Sequence, residues 1–297
     1  MKNIEIFCKE KGIIYRKNEP LAEYTTLRIG GLADLLIFLE EDIIQELMEV
    51  IKNEGLAYYI IGGGSNLLVS DNGFRGVIIN TKRMNRIEMK FSKIKVSAGV
   101  RLQRLIAFCL KKNLSGMEGL IGIPGTVGGA IRGNAGSFGY EIKDALEEVE
   151  VINDSLETKV MKKQDINFKY RSSGLPDSWI IKSAVFGLVE GSNENFKKMR
   201  DFLMRKRQTQ PLREKSAGCV FKNPEGYSAG ALIDKAGLKG MRVGDIMISP
   251  VHANYFINAG RGKSADFLKL MDIVREKVFK LFSIELEPEI KILNPEF

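Results

Sequence analysis

Residues 116–141, GMEGLIGIPGTVGGAIRGNAGSFGYE, decide how the chain is read. Nine of these positions are glycine, and only Glu118, Arg132 and Glu141 carry charge. Such a stretch suits neither a packed helix nor a two-faced strand, because glycine adds no side-chain packing and loses most backbone entropy on ordering. What it offers is main chain that approaches a ligand closely, with amide N–H groups aimed at negative oxygens. A second loop of this kind, Gly62-Gly63-Gly64-Ser65-Asn66-Leu67, lies upstream. Together the two predict a binding place for one large phosphate-bearing cofactor. Neither is a standard nucleotide fingerprint. Leu67 stands where a G-x-G-x-x-G loop has its third glycine, and neither loop has the Gly-Lys-Ser/Thr ending of a P-loop.

Around the loops, apolar patterning alternates between strand and helix. Residues 33–39 read as a strand, 41–54 as a helix and 57–61 as a buried strand running into the first loop. A strand over 76–80 completes a β-α-β arrangement, with the loop at the strand end where α/β proteins bind ligands. A second unit has a strand over 93–98 and an amphipathic helix over 102–112 that leads into the long glycine stretch. Runs at 148–152, 158–162 and 179–188 predict a meander. Ser192 caps a helix that must end before Pro211. Beyond it the pattern predicts helices over 228–236 and 264–282 and strands over 252–257 and 286–293. The expected class is α/β with an α+β C-terminal part, divided 1–80, 81–195 and 196–297.

Composition narrows the function. A chain of 297 residues exceeds a typical single core. The net charge of +8 comes from scattered residues, and the densest cluster, Lys197, Lys198, Arg200, Arg205, Lys206 and Arg207, spreads around a helix. That favours a solvated face over a nucleic-acid groove. Three cysteines and one histidine, His252, argue against a zinc site, a disulfide framework or a His-rich metal centre. Charge begins at Lys2 with no apolar leader pattern, and no run approaches the ~18 apolar residues of a membrane span. The expectation is a soluble, cytoplasmic monomer with no nucleic-acid partner, no membrane insertion and no metal.

Three side chains outside the loops carry chemical interest. Cys219, in SAGCVFKNP, is flanked by glycine and polar residues that expose it, whereas Cys8 and Cys109 sit on apolar faces. Glu289, in LEPEI, shares a strand face with Glu287, so one of the two should point inward. Arg171, in YRSS, is unremarkable by itself.

In combination the segments TTLRIGGLAD, GGGSNLLVSDNGFRG, GIPGTVGGAIRGNAG, YRSS, SAGCVFKNP, HANYFIN and LEPEI resemble the UDP-N-acetylenolpyruvoylglucosamine reductases. They run in family order from about Thr25 to Ile290. The short spacing from Arg171 to Cys219 resembles the shorter subtype, which lacks a substrate-capping insertion. The resemblance implies two FAD-binding subdomains of the vanillyl-alcohol-oxidase (PCMH) type, 1–80 and 81–195, and a substrate-binding domain, 196–297.

It also implies roles. Gly62, Gly63, Gly64, Ser65, Asn66 and Leu67, with Pro124, Gly125, Thr126, Gly128, Gly129, Ala130, Gly133, Asn134, Ala135 and Gly136, would cradle the FAD pyrophosphate. The loops hold no histidine, so the FAD would be non-covalent. NADPH would reduce the flavin; hydride would pass from N5 to C3 of the enolpyruvyl ether, in peptidoglycan precursor synthesis. Arg171 and Glu289 would bind and polarise the substrate carboxylate, and Tyr170, Lys222 and Asn223 would bind the substrate. The C2 proton would come from Cys219, which replaces the family's serine. A thiol of unperturbed pKa ~8.5 is the better proton donor. Tyr24 stands where the family has histidine, a change that nothing in the sequence explains. Two alternatives stay open: a flavin oxidase of the same fold, and a non-catalytic nucleotide-binding module.

Overall fold

Apolar residues at helical spacing become helices close to where the pattern puts them. A computed structural model describes residues 1–293. Its helices are α1 (Lys2–Glu10), α2 (Ile44–Asn53), α3 (Leu102–Lys111), α4 (Val127–Arg132), α5 (Ile142–Ala145), α6 (Asn193–Thr209), α7 (Ala229–Lys235) and α8 (Ser264–Phe282). The chain forms two compact units, each discontinuous in sequence. One comprises Met1–Lys17, Leu35–Gly63 and Gly76–Arg205; the other comprises Asn18–Asp34, Gly64–Arg75 and Lys206–Phe297. The division between Arg205 and Lys206 falls inside α6.

The first unit is built on sheets. Tyr58–Ile61 pairs in parallel with Phe74–Asn80, Tyr58 opposite Val77 and Ile61 opposite Asn80. Helix α2 leads into Tyr58–Ile61, and its Leu47, Met48 and Ile51 are buried. A five-stranded sheet has the order Thr158–Lys162, Leu146–Ile152, Ile180–Gly187, Lys93–Ser97, Ile87–Lys90. The expected meander is therefore corrected. Ile180–Gly187 pairs with Leu146–Ile152 rather than with Thr158–Lys162, and lies between it and Lys93–Ser97. Burial explains the order. The central strand is buried at most positions, whereas Thr158–Lys162 is exposed at all but one, as an edge strand should be.

The glycine stretch also differs from expectation, because α4 lies inside it. Thr126 caps α4, its Oγ1 accepting from Gly129 N–H. Packing explains the glycines within that turn: a Cβ on Gly128 would lie 2.9 Å from Ala98 Cβ. A larger residue would push the helix off the strand.

The second unit has a sheet ordered Ser216–Cys219, Tyr255–Asn258, Ile246–Ile248, Arg242–Val243. Its own core gathers Phe221, Phe256, Phe267, Leu270 and Val274 around α8. Asp71, from the SDNG turn, holds the start of α8: its Oδ2 accepts from both N–H and Oγ–H of Ser264, at 2.9 and 2.8 Å. The expected strand over 286–293 shortens to Lys291–Leu293, which pairs in parallel with Leu67–Val69. Before it, Pro288 lies opposite Phe221 instead of in that ladder. Among the described residues, no helix is long and apolar enough to cross a membrane.

Candidate functional site

In the first unit the two glycine loops meet main chain to main chain. A Cβ on Gly62 would lie 2.3 Å from Thr126 Oγ1, and one on Gly63 would lie 2.7 Å from Gly125 Cα. No side chain fits between them. Further along, Val127 and Gly128 donate their N–H groups to Val100 and Ala98 carbonyls, and Ala130, Gly133, Asn134 and Ala135 donate to carbonyls within the stretch. Those residues shape the loop by close approach; their amides are already engaged.

Asn134 is fully buried with a positive φ of 41°. Its Nδ2 donates to the Lys169 carbonyl at 3.0 Å, while Oδ1 finds no donor among the described residues. A buried orphan of this kind calls for an explanation such as a bound group. Lys169 opens the turn that carries Arg171. There Lys169 N–H donates to Ser172 O and Ser172 N–H returns the bond, at 2.8 and 3.1 Å. Arg171 sits at φ 57°, a left-handed conformation uncommon outside glycine, asparagine and aspartate. Its guanidinium lies 4.8 Å over the Tyr170 ring, and its Nη2 donates to Gly136 O at 3.2 Å. Glu141 stands near. Burial opposes its ionisation, but hydrogen bonds from Lys143 and Asn134 and the charges of Lys143 and Arg171 outweigh that and hold its carboxyl below the usual range.

In the second unit Cys219 pairs with Tyr255 across the sheet, and the register slips between Ser216 and Cys219. Gly218 at φ 78° forms this irregularity, which turns the following side chain. The next segment lies alongside LEPEI. Glu289 N–H donates to Val220 O and Lys222 N–H to Glu287 O, both at 2.8 Å, with Phe221 opposite Pro288. Cys219 and Glu289 thus lie on adjoining, mutually hydrogen-bonded segments. Two buried asparagines stiffen the place. Asn254 accepts from Phe221 N–H at 3.0 Å and donates to Phe221 O at 2.8 Å, and Asn258 donates to Leu27 O at 3.0 Å. The glycine-loop end belongs here too: Asn66 Nδ2 donates to Glu289 O at 3.1 Å. A Cβ on Gly64 would lie 1.9 Å from Tyr24 O, and Tyr24 donates its hydroxyl to Glu19 at 2.7 Å.

Cys219 differs from the other cysteines. Cys8 and Cys109 are buried, and burial pushes their thiols up to about 11 and about 12, whereas Cys219 is half-buried. Tyr170 is exposed. Lys222 pairs with the Glu287 carboxylate, and Asn223 Oδ1 accepts from Ala229 N–H at the start of α7. Glu287 therefore points outward.

Residues 36–158 match the FAD binding domain family, and residues 210–293 match the family described as UDP-N-acetylenolpyruvoylglucosamine reductase, C-terminal domain. A UDP-N-acetylenolpyruvoylglucosamine reductase of Carboxydothermus hydrogenoformans is 46% identical over 285 residues, spanning 94% of this chain and 93% of the relative. The chain belongs to the UDP-N-acetylenolpyruvoylglucosamine reductase family. The same-named protein of Syntrophobacter fumaroxidans is 40% identical over 95% of this chain and 84% of its own. The crystal structure of the reductase from Thermus caldophilus matches with a TM-score of 0.82 at 37% identity, covering 95% of this chain and 99% of that one. The expected fold, an FAD-binding part followed by a separate C-terminal domain, stands with these relatives.

Within this family frame, several residues that matter were not visible in the sequence. Asn254 and Asn258 lie in HANYFIN, but their partners Phe221 and Leu27 are 33 and 231 positions away. The sequence gives no local signal for either: Asn254 lies in the turn before Tyr255–Asn258, and Asn258 ends that strand.

Proposed function

We infer that the chain is an FAD-dependent oxidoreductase that uses NADPH to reduce UDP-N-acetylglucosamine enolpyruvate to UDP-N-acetylmuramate, a step of peptidoglycan precursor synthesis. The observation that carries this reading is the pairing of the Cys219 and Glu289 segments, with Asn66 of the glycine loop bonded to Glu289 O. A thiol and a carboxyl are thereby held at the end of a cofactor loop. The residues present fit FAD. The Gly62–Thr126 and Gly63–Gly125 approaches leave no room for Cβ atoms, and the orphaned Asn134 Oδ1 suits a donor from a bound group.

FAD, when bound, supplies hydride taken from NADPH and delivered to C3 of the enolpyruvyl group. The chain's own residues do the rest. Gly62, Gly63, Gly64, Ser65, Asn66 and Leu67 with Pro124, Gly125, Thr126, Gly128, Gly129, Ala130, Gly133, Asn134, Ala135 and Gly136 form the non-covalent cradle, its N–H donors drawn from the first loop and from Gly125 and Thr126. Arg171 and Glu289 bind the substrate carboxylate and stabilise charge that develops there. Cys219 gives its proton to C2. Tyr170, Lys222 and Asn223 contact the nucleotide-sugar. These roles assign the 1–80 and 81–195 segments to the cofactor and 196–297 to substrate. A charged nucleotide-sugar does not cross a membrane unaided, which supports a cytoplasmic reaction, and the chain is read as acting as a monomer.

Steady-state assays test the reading. NADPH consumption should depend on the enolpyruvyl nucleotide, yield a product heavier by two hydrogens, and proceed without oxygen uptake. Oxygen-dependent turnover of an alcohol, or a protein that holds no flavin, would overturn it.

A further inference from the structure

The hairpin that follows the glycine stretch is too small to stand alone. Gly136–Ser137 and Tyr140–Glu141 share only the pairs Tyr140–Ser137 and Glu141–Gly136. At its tip Phe138 is left-handed at φ 54° and Gly139 follows at φ 80°. An isolated ribbon of this length is not stable in water, so its geometry must be imposed from outside. On one side lies Gly119, where a Cβ would come within 2.4 Å of Ser137 O. On the other lies α6. Phe202 stacks on Phe138 with ring centroids 4.4 Å apart and planes 7° from parallel, and meets Tyr140 edge-on at 6.1 Å. Arg205, one turn further along, lies 5.8 Å over the same Phe138 ring.

The hairpin's two ends face Arg171. Gly136 O accepts from its guanidinium at 3.2 Å, and the Glu141 carboxylate is held ionised partly by its charge. Main-chain pairing couples these ends to the tip, and the tip is fixed by a ring on α6. We propose that Phe202 is a positioning residue for Arg171, acting through Phe138 and the Gly136 carbonyl. This rests on the carboxylate-binding role given to Arg171 above. Phe202 itself touches neither substrate nor cofactor in this scheme. It sets where the guanidinium sits, because the Gly136 carbonyl that accepts from Arg171 belongs to the hairpin whose tip Phe202 holds.

The test is a double-mutant cycle on the holoenzyme. NADPH bleaching of the flavin and reoxidation by UDP-N-acetylglucosamine enolpyruvate are timed separately. Phe202→Ala should leave bleaching unchanged and lower kcat/KM for the enolpyruvyl substrate by about three- to tenfold, the scale of one aromatic pair. Phe202→Tyr, which keeps the ring, should restore it. In an Arg171→Ala background Phe202→Ala should have no further effect on reoxidation. Where Phe202→Ala does not fold, Phe202→Leu replaces it, with the same expectation. Additive losses in the cycle, or a Tyr variant no better than Ala, would overturn the proposal. A wild-type flavin that NADPH bleaches but Arg171→Ala leaves fully competent would instead overturn the role of Arg171.

Discussion

Arg171 and Cys219 are held in opposite ways. Arg171 rides a two-residue turn in a left-handed conformation, fixed by one carbonyl, one ring face and a neighbouring carboxylate. Cys219 lies in a strand whose neighbours are tied by main-chain bonds to LEPEI and bracketed by Asn254. The difference matches the tasks assigned to them. A proton donor must meet one carbon at one distance, since misplacement by an ångström is costly. A guanidinium meets a carboxylate through parallel N–H donors, and for Arg171 that geometry depends on groups outside its own turn, Gly136 O among them.

The largest expected effect comes from removing the donor. Cys219→Ala should slow flavin reoxidation by substrate by about 10²- to 10⁴-fold, the usual size of a general acid, with NADPH bleaching unchanged in stopped-flow traces. Cys219→Ser should keep appreciable turnover, because the resembling family uses serine there; a folded but inactive Ser variant would show that thiol and hydroxyl are not equivalent at this strand. Equal losses in both half-reactions would remove Cys219 from the donor role.

Next comes the cradle. Gly63→Ala places a Cβ against Gly125 Cα, an overpacking of about 1–3 kcal/mol. FAD affinity, read by fluorescence titration, should fall by about ten- to a hundredfold. Unchanged affinity would mean that the two loops are not one site.

Asn254→Ala tests the rigid half of the comparison. It leaves Phe221 N–H and O without partners, and the unfolding free energy should fall by about 2–4 kcal/mol. Tyr170→Phe, on the exposed turn, should change it by less than about 0.5 kcal/mol. Similar losses from both would erase the contrast drawn here.

The smallest effect is a pH dependence that differs between units. In the first unit burial opposes ionisation of Glu150, but hydrogen bonds from Lys182, Ser183 and Lys95 outweigh it and lower its carboxyl to about 2. Its stabilisation is present above the ordinary carboxylate value and is lost as pH falls from there toward 2. In the second unit burial, with the charge of Lys239, lowers the His252 imidazole below its ordinary 6.5. The unfolded chain binds that proton more readily, so stability declines as pH drops below about 6.5. Thermal melts of Glu150→Gln should flatten between pH 4 and 2.5, and those of His252→Asn between pH 7 and 5.5, by a few degrees or less.

Local signals made much of this legible. Helix α8 runs from Ser264 to Phe282 as its spacing predicts, because Phe267, Leu270, Met271, Val274 and Val278 form one buried stripe. Glycine density marked both loops, since few other uses justify that composition. What stayed hidden depends on distant partners. An alternating pattern says that Ile180–Gly187 is a strand but not that it pairs with Leu146–Ile152 and Lys93–Ser97. Phe202 reads as one more apolar position on a helix, and only the stack with Phe138, 64 residues earlier, gives it a purpose. The segment 286–293 looked like one strand because alternation cannot register that 287–289 lies against 220–222 while Lys291–Leu293 pairs with Leu67–Val69.

Absorbance under anaerobic conditions tests the central claim most directly. The purified protein should show an oxidised flavin spectrum that NADPH bleaches and that added UDP-N-acetylglucosamine enolpyruvate restores without oxygen. A colourless protein, a flavin that NADPH leaves unbleached, or one restored only by oxygen would contradict it.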